Sequence, residues 1–166
     1  MDISKKIMKK LKREYYNIYN EFYEVNKYRK MKNILHHGIA RIEHINRVGK
    51  LTFYTSKLLK LDYISSTRGA LMHDFFIKED LSKKEALKHH PQIALKNSKK
   101  YFTVNKIEED IITKHMFPIT KQKPKYKESI LVCICDKLVS CYEFIRFKIN
   151  IQANLIMMFI INTLYS

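Results

Sequence analysis

Only three glycines and three prolines punctuate 166 residues. Those are the residues that end helices and shape the turns between strands. A chain that lacks them, with 46% of its residues apolar, can form long helices but not many short strands. The expected fold is therefore all-α, a bundle of about six to eight helices. At this length, residues 1–166 make one domain with a core of its own.

Apolar spacing places the helices. Residues 3–33 carry Ile7, Leu11, Tyr15, Ile18, Phe22 and Val25 at intervals of three and four, which predicts an N-terminal helix. A second helix covers 40–60, with Ile42, Ile45, Val48, Leu51, Leu58 and Leu59 on its apolar side. A third covers 64–76, opened by Ser65 or Ser66. "SKKE" (Ser82 to Glu85) is a capping-box pattern that starts a fourth, and Pro91 restarts it as a first-turn residue for 91–102. "NKIE" (Asn105 to Glu108) caps another that runs to about Lys114. The stretch 116–125, "MFPITKQKPK", is the one clear loop. Residues 126–147 form a long helix and the uncharged 149–165 a last one. That tail is slightly short for a membrane span and carries Asn150, Gln152, Asn154 and Asn162, so packing on the core is expected, with a membrane anchor the lesser alternative.

The formal net charge is +16, from 32 Lys and Arg against 16 acids. Such a balance favours anionic partners: nucleotides, nucleic acid or acidic lipid. The lysine-rich usage of an AT-rich genome produces the same excess. Cys133, Cys135 and Cys141 form no CxxC pair or disulfide framework and suit a reducing compartment. The opening "MDISKKIMKKLKREYY" is charged throughout, unlike a signal peptide. The expectation is a cytoplasmic protein.

The chemistry lies in "ALMHDFF", residues 70–76. His73 and Asp74 interrupt what reads as the apolar interior of a helix, and an unpaired buried carboxylate is costly. Other ligand-type residues recur beside apolar neighbours on other predicted helices: His44, His90, His115 and Asp136. A bundle can gather such side chains around metal ions in its core, and imidazole with carboxylate suits intermediate divalent metals. Singly, each could be a satisfied core or helix-end residue.

The stretches "EHINRV" (43–48), "LMHDFF" (71–76), "HPQIA" (90–94), "IITKHMFP" (111–118) and "VCICDKL" (132–138) resemble, in order and spacing, the HD-domain metal-dependent phosphohydrolase superfamily. The resemblance covers about residues 36–145. It lies nearest small bacterial HD hydrolases and is similar to those that cleave dinucleoside tetraphosphates symmetrically. It implies an HD-type bundle with two divalent ions (Fe, Mn, Co, Ni, Zn or Mg). His44, His73, Asp74 and Asp136 would hold the first, and Asp74 would bridge to a second bound by His90 and His115. The implied reaction is hydrolysis of a phosphoester or phosphoanhydride in a small, nucleotide-like substrate, with His73 and Asp74 catalytic. "HDFFIK" lacks the glycine of the "HDIGK" found in some members and puts Lys78 one residue late. No Gly-Tyr-Pro follows the later histidine, which argues against a cyclic-dinucleotide phosphodiesterase.

Around this set, Arg47 either clamps a phosphate and stabilises charge or pairs with a neighbouring acid. His36 and His37 either reach the substrate or sit on the surface before Gly38. Lys121, Lys123 and Lys125 either line the mouth of the site or are solvated. Cys133 is expected to pack, not to ligate. The alternatives to a phosphohydrolase are a di-iron oxygenase on the same ligands, a non-catalytic metal-binding module, and a nucleic-acid-binding helical module.

Overall fold

A computed structural model describes residues 3–36, 38–77 and 86–165. Among them are seven α-helices and one two-stranded ribbon: α1 (Ile3–Tyr23), α2 (Asn26–Arg29), a 3-10 turn (Lys30–Asn33), β1 (Leu35–His36), β2 (Ile39–Ala40), α3 (Arg41–Leu58), α4 (Tyr63–Met72), α5 (Ala86–Tyr101), α6 (Lys106–Lys114) and α7 (Lys127–Tyr165). The all-α bundle expected from the scarcity of glycine and proline is the fold found. His37, Lys78 and the 82–85 capping box lie outside the described residues.

Two apolar clusters hold the helices together. One joins Phe22, Tyr28, Met31, Ile45, Leu71 and Phe75 with Ile112; the other joins Val48, Ala70, Ile111, Val132, Cys135 and Val139. Each large side chain fully buried in them contributes about 1.5–3 kcal/mol relative to exposure. Helices α3, α4 and α6 supply both clusters. Gly69 permits their close packing, because a Cβ there would collide with Ile111.

Several boundaries differ from the periodicity. The N-terminal helix does not run to residue 33: it stops at Tyr23, Val25 is extended, and the chain turns so that Tyr28 and Met31 enter the core. Helix α4 is capped by Asp62, which accepts from the Ile64 and Ser65 amides, not by Ser65 or Ser66. Pro91 lies inside α5, which already runs from Ala86. The capping box of α6 forms as expected, with the Asn105 side chain on the Glu108 amide and the Glu108 carboxylate on the Asn105 amide.

The 126–147 helix and the apolar tail are one helix of 39 residues. No Gly or Pro interrupts them. Over its described side chains the tail does not pack on the core, since each of them from Phe144 to Met158 is exposed. Among the described residues, no helix is long and apolar enough to cross a membrane.

The ribbon precedes α3 and pairs Leu35 with Ala40 and His36 with Ile39. Its turn needs a positive φ, and Gly38 supplies one of 83°. A side chain there would also strike the Phe147 ring of α7.

Candidate metal centre

Helix α4 ends one residue before His73, so "HDFF" is a helix terminus and not a helix interior. Nothing local stops α4; its last carbonyls are instead taken up one by one. His73 Nδ1 donates to the Ala70 carbonyl at 2.7 Å, the Tyr28 hydroxyl to Leu71 at 2.9 Å, and the Phe75 amide to Met72 at 3.0 Å. These bonds satisfy the acceptors that every helix end leaves open. The Asn97 amide then fixes the following turn through the Phe75 carbonyl, at 2.9 Å.

His115 repeats the device. It caps the C-terminus of α6, and its Nδ1 donates to the Ile112 carbonyl at 2.8 Å. A carbonyl only accepts, so in both residues Nδ1 carries a proton, and in the neutral imidazole that leaves the lone pair on Nε2. Both Nε2 atoms face the interior, with the His73 and His115 ring centroids 4.9 Å apart.

The remaining ligand candidates converge there. His44 on α3 places Nε2 3.1 Å from Asp136 Oδ1 on α7, and His73 Nε2 lies 3.7 Å from the same oxygen. Asp74 Oδ1 lies 3.4 Å from His90 Nε2 and 3.6 Å from His115 Nε2. The two Nε2 atoms of His90 and His115 are 3.0 Å apart. All six residues are buried. Two groups have ligand atoms close enough to share an ion: His44, His73 and Asp136, and His73, Asp74 and His115. The division expected from the resemblance puts Asp74 in both sets, whereas by proximity His73 is the residue common to both groups.

The donor set fits divalent cations. His73 Nε2 and Asp74 Oδ1 are buried and have no hydrogen-bond partner. Buried polar atoms are almost always paired, and each one left alone costs about 1–3 kcal/mol. Here both orphans are lone-pair donors in the same cluster.

In the metal-free protein, electrostatics favour the ligand states of Asp74 and His115. Burial pushes the Asp74 carboxyl up, but His73, His115, His90 and Arg41 outweigh it and hold the group well below the usual carboxylate range. Burial, followed by His73, pulls His115 down to about 4, so it is neutral at neutral pH. His44 behaves oppositely. Burial lowers its pKa, but hydrogen bonds to Asp136 and Glu143 dominate and raise it to about 9.

That shift predicts a pH effect on the metal-free protein. The folded pKa of His44 lies above the ordinary value of 6.5. Its stabilising contribution is therefore complete below pH 6.5 and lost as pH rises to about 9, a fall on the order of 3 kcal/mol. Urea unfolding across that window should show the decline, and His44→Gln should flatten it. A flat wild-type profile would contradict the His44 assignment.

Three contributors escaped the sequence. Glu143, buried on α7, receives His44 Nδ1 at 2.8 Å on one oxygen and Arg47 Nη1 at 2.8 Å on the other. Arg41 is buried with its guanidinium 3.7 Å over the Phe76 ring; Nη1 donates to the Phe76 carbonyl, and Nε has no partner. Lys137 donates to the His115 carbonyl at 2.8 Å. Position in the helix could have found two of them. Glu143 lies two turns after Asp136, and Arg41 three residues before His44, each on the same helix face as that ligand.

The other candidates separate. Arg47 takes the ion-pair alternative, bound to Glu143 and lying 3.5 Å from Glu43. Lys121 lines a cavity of about 650 Å³ with His89, Pro91, Thr113 and Met116, next in sequence to His90 and His115. Lys123 and Lys125 are exposed, and neither lines that cavity. Cys133 packs, its Sγ 3.3 Å from the Lys114 carbonyl, and burial pushes its thiol up to about 11. No protein-family model, curated protein or solved structure matches the chain.

Proposed function

We propose that this chain is a metal-dependent phosphohydrolase of the HD type, acting on a phosphoester or phosphoanhydride of a small, nucleotide-like substrate. The observation that carries this reading is the burial together of four imidazoles and two carboxylates, with His73 Nε2 and Asp74 Oδ1 among them lacking any hydrogen bond. His44, His73 and Asp136 would hold one ion, and Asp74, His90 and His115 a second. Bound divalent ions supply Lewis acidity and a nucleophilic water at neutral pH.

The chain's own groups do the rest. Asp74 stays ionised and His115 neutral, the states that ligation requires. Arg41 gives the Asp74 side of the site a cation with an unused buried donor, suited to a non-bridging phosphate oxygen. Arg47, spent on Glu143, positions that carboxylate against His44. Lys121 brings positive charge to the neighbouring cavity.

The test is metal analysis of the purified protein, then phosphate release from a panel of nucleotides with Mn, Fe, Co, Ni or Mg. Two ions per chain are expected, with hydrolysis that stops on chelation and returns with metal. Hydrolysis unchanged by exhaustive chelation would end this reading. Bound iron with oxygen consumption and no phosphate release would favour the oxygenase.

A further inference from the structure

Helix α7 is apolar on two sides. One face carries Val132, Cys135, Asp136, Val139 and Glu143 into the bundle. The other carries Ile130, Ile134, Leu138, Tyr142, Ile145 and Ile149, each between 49% and 59% exposed. At 100° per residue these six fall on one stripe about 120° wide, following the i, i+4 ridge for most of its length. No carboxylate lies on it. A helix on the surface of a monomer is normally polar on that side, and one apolar all round is normally buried.

We infer that this stripe is the contact face of a homodimer, in which α7 of one chain crosses α7 of a second copy. Six half-exposed large side chains leave on the order of 600 Å² of apolar surface, at the upper end of what monomers show. That approaches the roughly 800 Å² each partner contributes to a standard interface. Two identical i, i+4 ridges interlock at about 50°, and a twofold axis through such a crossing makes one patch serve both partners. An acidic protein partner fits less well, since the stripe offers it almost no cation. The inference does not rest on the metal centre, because Asp136 and Glu143 face the other way.

Charge sets a signature. Two chains of +16 repel, and salt screens that repulsion without weakening apolar burial. Light scattering of the full chain should therefore give twice 20.0 kDa, with the dimer fraction rising with salt. An Ile134→Lys, Leu138→Lys double variant should return to 20.0 kDa with helicity and metal content unchanged. Should the pair misfold, Ile145→Lys, a single change at a half-exposed position of the stripe, carries the same test. Cys141 is the exposed cysteine of the three, so a short bismaleimide should link two wild-type chains and not the variant. A wild-type monomer at all salt concentrations would overturn the inference, as would a folded charged variant that still dimerises. A monomer that binds phosphatidylglycerol vesicles and is released by salt would assign the stripe to lipid instead.

Discussion

Asp74→Ala is expected to empty the centre of metal and reduce turnover to background. Asp74 is the anion on the His90–His115 side, 3.4 and 3.6 Å from their Nε2 atoms. Without it, four imidazoles and two carboxylates become four and one. The three imidazoles around Asp74 would then meet a cation with no charge neutralisation on their side. The metal-free fold would also suffer, since Arg41 would lose the carboxylate that opposes its burial. Asp74→Asn separates the two effects. It keeps the shape and one acceptor oxygen but no charge, so it should fold better than Asp74→Ala and still lose metal. Metal per chain and thermal unfolding, read on both variants, decide the matter. An Asp74→Ala protein that keeps its metal and turns over normally would make this carboxylate purely structural.

His73 and Asp74 were legible as a problem because acid and imidazole stand between Met72 and Phe75, both fully buried. Asp136 was legible for the same reason inside "ILVCICDKLV". What could not be read was how α4 ends. Its terminator is the Tyr28 hydroxyl, brought from 43 residues away, together with a ligand's own ring nitrogen. A helix stop made by tertiary contact leaves no glycine or proline behind. The fusion of the last two predicted helices has the opposite cause. The change from a charged to an uncharged composition near residue 149 looks like a boundary, but nothing in the backbone chemistry there breaks a helix.

Arg47 shows where residue type alone misleads. An arginine one turn from a candidate ligand suits a phosphate, yet the ion pair with Glu143 could be known only once α7 lay against α3. Arg41, on the same face of α3, sits where a cation opposes Asp74. Its burial under Phe76 is not visible in the pattern, because Arg usually marks the surface.

Glu143→Gln should weaken metal binding by about 10–100-fold while the bundle stays folded, the usual cost of losing a carboxylate that orients a ligating histidine. Glu143 grips His44 at Nδ1, and this is what turns Nε2 toward Asp136. Gln keeps a neutral oxygen for one of its two partners, so His44 and Arg47 both lose a charged acceptor and one of them meets a donor instead. Removing that negative charge also withdraws part of what holds the His44 pKa near 9. The metal-free variant should therefore lose less stability than wild type between pH 6.5 and 9, on the linkage argument made for His44 itself. The two readouts separate positioning from packing. A residue that only filled space would lower stability equally at every pH and leave metal affinity to follow the folded fraction. If Glu143→Gln binds metal as tightly as wild type and keeps the wild-type pH profile, His44 is oriented by Asp136 alone and Glu143 serves only to pair with Arg47.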